Sequence, residues 1–158
     1  MLIKVTKSKN SVTFPQANEI YKMIKLVDSK CDGLLQEVLS NFSLDMVSRQ
    51  TDYYENAAEY FGLLKDGEPS RIARHIFRLD RNRVFVSLVQ LILEDYYFYI
   101  YFSTRDVKQL QRLLNVELML NPATARRRSS TVVNWIKWCD SVIKENNITL
   151  RIDKDGFN

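Results

Sequence analysis

The chain has 158 residues, enough for one ordinary domain or two very small ones. A hydrophobic share of 46% beside 27% charge excludes intrinsic disorder, and no run of the sequence is long and apolar enough to span a bilayer. Net charge is +4 with a pI near 9.1, which suits a polyanionic partner without requiring one; four glycines and three prolines argue against a turn-dense all-β fold.

The N-terminal lead, Leu2 and Val5 with Val12 and Phe14, is interrupted by polar residues and could supply a short strand. It has neither the continuous apolar core nor the cleavage site of a secretory signal. Cys31 and Cys139 lie far apart in no metal-ligand spacing, as expected of reduced residues in a cytoplasmic protein. Pro15 can open a first helix with Ile20, Ile24 and Val27 inward, stopped at Asp28–Gly33. A shorter helix is expected over Leu34–Ser40, then a polar turn at Asn41–Asp45, then a third helix from about Met46 to Phe61 with Tyr54, Ala57, Ala58 and Phe61 inward. Gly62 suits a left-handed cap. Two helices, a turn and a third helix make a helix-turn-helix skeleton.

Leu63–Lys65 and Ile72–Leu79 are expected as two strands joined through Asp66–Ser70. Such a hairpin would be a wing, made positive by Arg71, Arg74, His75 and Arg78. Asp80 can cap a long helix that runs on into the aromatic segment Tyr96–Phe102, whose rings fit a packed core better than a base-stacking platform. Thr104 can cap another helix through Leu114. Ile148–Ile152 alternates like a strand.

Between these lies Thr124–Cys139. Val132, Ile136, Cys139 and Ile143 form an apolar stripe at helical spacing. Arg127, Ser130, Asn134 and Lys137 fall opposite, with no acid before Asp140. Three arginines at a helix start, Arg126–Arg128, oppose the helix dipole, as they would if their charge served a partner. A DNA-reading helix and an amphipathic surface helix with a solvated basic end both fit. Laying Arg49 on Arg127 brings the two long helices into parallel and sets Leu34–Leu39 over Val107–Arg112. The expected fold is therefore mainly α with short β wings, as tandem winged helix-turn-helix units at 1–79 and 80–158. The first unit's long helix carries Asp52, Glu55 and Glu59 behind Arg49, so the second is the better reader of DNA.

Catalytic chemistry has few candidates. His75 is the sole histidine, no glycine loop is built to cradle phosphate, and neither a metal nor a cofactor is expected. The pattern Arg49-Gln50-x-x-Tyr53-Tyr54-x-x-Ala57-x-x-Tyr60-x-Gly62-Leu63, followed by Thr124-x-x-Arg127-Arg128-x-x-Thr131-Val132-x-x-Trp135-x-x-Trp138, resembles winged-helix modules of bacterial restriction-modification and related defence proteins. The resemblance runs from about Pro15 to Ile143. It departs at Phe77–Arg81, where such modules carry a threonine-glycine turn. It implies DNA recognition by Arg49, Gln50, Tyr53, Thr124, Arg127, Arg128, Thr131 and Asn134, beside a separate nuclease or ATPase domain or subunit. Arg71, Arg74, Arg126, Ser130 and Lys137 join these on chemical grounds. The expected partner is double-stranded DNA and not a membrane. A protein-interaction module and a small homodimeric transcription regulator, seamed through Tyr96–Phe102, are the alternatives.

Overall fold

The computed structural model describes residues 1–7, 11–40 and 48–156. These form seven helices and four short strands, so the chain is mainly helical. Two compact units divide it: Asn10–Ser87, and Leu88–Asn158 together with Met1–Lys9.

In the first of these, α1 (Ile20–Lys30) buries Ile20, Ile24 and Val27 at helical spacing, with Met23 and Leu26 beside them. It begins five residues beyond Pro15. Leu34–Ser40 is not the expected helix but a run of turns after Gly33, which sits at φ 66°. Seven residues are too few to nucleate a helix unaided, and Asp28 competes for the backbone: both carboxylate oxygens accept the Leu35 N–H at 3.2 Å. Leu35 and Leu39 are buried all the same. The turn expected at Asn41–Asp45, and Met46 with it, lie outside the described residues.

Helix α2 (Ser48–Tyr60) buries Tyr54, Ala57 and Ala58. Gly62 ends it at φ 72°, and the Leu63 N–H returns to the Ala58 carbonyl at 2.9 Å, the closure that a left-handed residue permits. A hairpin follows, β2 (Leu64–Lys65) against β3 (Glu68–Pro69), turned at Asp66 and Gly67 with φ 52° and 79°. Positive φ at both turn residues matches the twist of the strands.

The second strand stops there. Ile72–Leu79, expected as a strand, is instead occupied by α3 (Arg71–Ile76), because the Ser70 hydroxyl accepts the Ala73 N–H at 3.2 Å and caps a helix start. Ala73 and Ile76 bury one face, and Arg71 and Arg74 therefore sit on an exposed helix surface rather than on a wing. Helix α4 (Arg81–Leu93) comes next, with the division between units at Ser87.

The expected continuous helix through the aromatic run is broken. The Asp95 carboxylate accepts the N–H groups of Tyr97 and Phe98, at 3.0 and 3.2 Å, and starts α5 (Tyr96–Thr104) afresh. Asp106, not Thr104, caps α6 (Val107–Glu117) through the Gln109 N–H at 3.0 Å. Asn121 caps α7 (Pro122–Glu145) through the Thr124 N–H at 2.8 Å, with Pro122 at the first helical position where its missing N–H is harmless.

The extended piece after α7 is β4 (Arg151–Gly156), and it is no wing. It pairs in parallel with β1 (Leu2–Thr6), Ile3 opposite Ile152. The far edge of β1 is closed by Glu94, whose carboxylate accepts the Lys4 N–H at 3.0 Å and whose carbonyl accepts the Thr6 N–H at 2.9 Å. Ile3 and Val5 are consequently fully buried. Within the same unit Phe98 of α5 and Trp135 of α7 are fully buried with ring centroids 5.7 Å apart.

Candidate nucleic-acid interface

Along α7 the apolar positions Val132, Trp135, Ile136, Cys139 and Val142 turn inward, which forces the opposite positions outward. Arg126, Arg127, Ser130, Asn134 and Lys137 are all exposed, on neighbouring turns of one face. No carboxylate interrupts the helix before Asp140. That residue is held by Arg105, whose two terminal nitrogens each donate to one carboxylate oxygen at 2.7 Å. The pairing with Asp140 holds the guanidinium pKa above its ordinary value, and the cationic strip keeps its sign.

Beside the strip is a cleft of about 330 Å³ between α6 and α7. Val107 and Gln111 line one wall; Arg126, Ser129, Ser130, Val133 and Asn134 line the other. The Gln111 amide donates to the Ser129 hydroxyl at 3.4 Å. The polar groups are a guanidinium, two carboxamides and two hydroxyls, the side-chain types that read base edges and bind phosphate oxygen. Both serine hydroxyls donate back to the Arg126 carbonyl, at 2.8 and 3.3 Å; Ser129 is buried and its oxygen takes the Gln111 amide, while the exposed Ser130 oxygen keeps its lone pairs as acceptors.

Arg127 is steadied at the helix start, where Nη2 donates to Thr124 Oγ1 at 3.1 Å. Thr124 is half-buried, and its hydroxyl oxygen meets Arg127. Arg128 is turned sideways and half-buried. Thr131 does not belong to the surface at all: it is 0% exposed, one position round from Ser130 and on the Trp135 side. The pattern that paired it with Arg127 and Asn134 missed that a four-residue step from Arg127 lands at the edge of the buried stripe.

The remaining candidates are in Asn10–Ser87. Arg49 and Gln50 are exposed in the first turn of α2, and Arg49 Nε donates to the Tyr53 hydroxyl at 2.9 Å while its guanidinium lies 5.6 Å over that ring. Tyr53 is thereby spoken for within its own helix. Lys30 neutralises Glu55 at 3.8 Å, which softens the acidic face without reversing it. Gln111, on the cleft wall, and Arg105, paired with Asp140, are the neighbours of the strip that periodicity did not single out. Each becomes visible when a second helix is laid against α7.

The aromatic run is spent largely on the chain's own core, with Tyr97, Phe98 and Tyr99 buried, so those three offer no dimer seam. Both cysteines are free; burial pushes the thiol pKa of Cys31 and of Cys139 upward, away from reactive thiolate. Among the described residues no group of three or more His, Cys, Asp or Glu is placed to hold a metal ion, and no helix is long and apolar enough to cross a membrane.

Comparison with known families gives a match to a domain of unknown function (DUF7226) over residues 19–144. No curated protein and no solved structure matches the chain. The matched span takes in α1 through all but the last residue of α7, including the basic strip and the cleft, and leaves β1 and β4 outside. Covering well over half of the chain, that match establishes that it belongs to the DUF7226 family.

Proposed function

We propose that this chain is a duplex-DNA-binding module with no catalysis of its own, serving as the recognition part of a restriction-modification or related defence assembly that also holds a nuclease or ATPase. The observation that supports it most is the acid-free strip Arg126, Arg127, Ser130, Asn134 and Lys137 beside the cleft, with the nearest acid of α7 neutralised by Arg105. In this reading α6 and α7 act as the two helices of a helix-turn-helix, with α7 in the major groove. Asn134 suits an adenine edge, a good bidentate pair being worth roughly 1–3 kcal/mol of discrimination. The polar cleft would hold a phosphate or bridging water at the groove wall. Arg49, Gln50, Arg71 and Arg74 are exposed on the other unit, where a winged-helix use of α2 and the β2–β3 hairpin belongs to the same proposal.

Fluorescence anisotropy with a labelled random-sequence duplex across a salt series tests it. Three phosphate contacts from Arg126, Arg127 and Lys137 predict a log–log slope of about −2.7, since each contributes about −0.9 on B-DNA. Binding that is undetectable at micromolar protein in low salt, or that ignores salt, removes the proposal.

A further inference from the structure

The α6 wall of the cleft carries two cations that the strip on α7 does not include. Leu110 and Leu114 are the buried positions of α6, while Val107 and Gln111 line the cleft. Lys108 and Arg112 each follow a cleft-lining residue, so each stands about 100° further round the helix, past the cleft wall and away from the core. Leu110 is buried, Gln111 is at the cleft and Arg112 is in solvent. Lys108 is exposed too, one turn before Arg112 and next to it on that side.

The chain's own contacts do not use this pair. Lys7, Lys22, Lys30, Arg78, Arg83 and Arg105 each meet a carboxylate. Lys108 and Arg112 form no side-chain hydrogen bond or ion pair among the described residues. Like charges one turn apart disfavour a helix, and Lys108, in the first turn of α6, opposes its dipole as well. The acids at the two ends of α6 are engaged: the Asp106 carboxylate accepts the Gln109 N–H at 3.0 Å, and that of Glu117 accepts from Lys7 Nζ at 2.7 Å. Across the cleft the Arg126 guanidinium is exposed and equally without a partner among the described residues. Between the two rims the Gln111 amide gives one N–H to Ser129 and has a second to offer. Cations on both rims with an amide donor between them suit a run of phosphate oxygens.

Resting on the DNA-binding reading above, we propose that Lys108 and Arg112 grip phosphates of the strand that borders the groove entered by α7, so that α6 and α7 hold one sugar-phosphate strand across the cleft. Phosphates repeat along a strand, and cations on opposite rims can meet successive ones; such contacts fix register and carry no base preference.

The test uses the full chain with one defined duplex, and with the same duplex carrying a single uncharged methylphosphonate at each phosphate in turn. Five contacts at about −0.9 each predict a log–log salt slope of about −4.5, against about −2.7 for the α7 strip alone. Lys108→Ala with Arg112→Ala should bring the slope back to about −2.7 and weaken binding alike for all sequences. The glutamine pair, which keeps the aliphatic stems, should do the same. Methylphosphonate at two or more phosphates of one strand should weaken the parent and no longer matter to the double variant. Arg81→Ala with Arg151→Ala removes the same charge from exposed positions elsewhere and should keep the parent's slope. Circular dichroism verifies that the variants fold. A slope or a methylphosphonate pattern that the double variant shares with the parent overturns the grip and leaves the DNA reading standing, as does an equal flattening in the Arg81 and Arg151 pair. No DNA binding overturns both, and capture of poly-glutamate that needs Lys108 and Arg112, without DNA binding, overturns both in favour of an acidic protein surface.

Discussion

Arg105 and Asp140 are joined by two parallel N–H···O bonds of 2.7 Å, and the Arg105 Nε donates a third bond to the Phe102 carbonyl at 2.9 Å. The arginine stands at φ 57°, closing α5, with its guanidinium 5.1 Å over the Phe102 ring. A residue that ends one helix therefore cancels the acid on another. Both side chains are nearly half exposed, so the pair itself is worth no more than about 1 kcal/mol to folding. Its larger consequence is electrostatic. Arg105→Ala should leave Tm within a few degrees yet weaken DNA binding by about twofold or more at low salt, by uncovering a carboxylate one turn from Lys137. Adding Asp140→Asn should restore most of that affinity. A melt and a titration of the single and double variants check it; an Arg105→Ala chain that binds as before would show that Asp140 does not bear on the strip.

On the strip itself, Arg126→Ala, Arg127→Ala and Lys137→Ala should each flatten the salt slope by about 0.9 if each grips one phosphate. Asn134→Ala should instead alter preference among sequences, with little change in slope, because amide groups carry no counterion. Thr124→Ala should resemble a partial Arg127→Ala, since Thr124 Oγ1 anchors that guanidinium. Anisotropy titrations at several salt concentrations separate these outcomes.

How far the sequence could be read follows from where its signals are local. Helix α7 was legible because a three- and four-residue rhythm persisted over more than four turns, and Gly62 was legible because a cap is one residue's chemistry. Helix α3 was misjudged because its few residues, bounded by a true hairpin, invite a strand; yet Ile72 with Ile76 and Ala73 with Phe77 step by four, and Ser70 is a capping residue. The break at Asp95 lies between two apolar runs, Val84–Leu93 and Tyr96–Phe102, whose shared helical spacing invites a single helix although Glu94 and Asp95 part them. The β1–β4 pairing joins the two ends of the chain and leaves no mark on either segment alone. Within the site, exposure of Arg126, Arg127 and Asn134 was readable, whereas Gln111 and Arg105 required knowing which helices lie together.

Trp135 offers a way to separate folding from binding. It is fully buried against Phe98, while the strip it supports is in solvent. Trp135→Ala should cost about 3–5 kcal/mol by removing a large side chain from a site that cannot close over it. Thermal or urea unfolding should show that loss plainly, and the Arg127→Ala chain should unfold like the parent. If Trp135→Ala instead melts within a degree or two of the parent, the packing around α5 and α7 is looser than described.

Asp28 makes the other unit sensitive to pH. Its side chain is 2% exposed, and burial raises its carboxyl pKa above the usual 3.8 despite the opposing hydrogen bonds from Leu35 and with the help of the nearby Asp32 charge. A carboxyl that binds its proton more tightly folded than unfolded adds stability that is complete below the ordinary value. That contribution is lost as pH rises from there through the raised value, the reverse of the common surface-carboxylate case. Asp28→Asn keeps an oxygen for the Leu35 N–H and carries no charge, so its unfolding free energy should lack this decline and should exceed the parent's at neutral pH. Asp28→Ala forfeits the bond as well, leaving a buried N–H unpaired, and should fall below the parent by about 1–3 kcal/mol. Urea titrations of the three chains from pH 3.5 to 7.5 would decide it, and an Asp28→Asn curve parallel to the parent's throughout would mean the carboxyl meets enough water to titrate as if exposed.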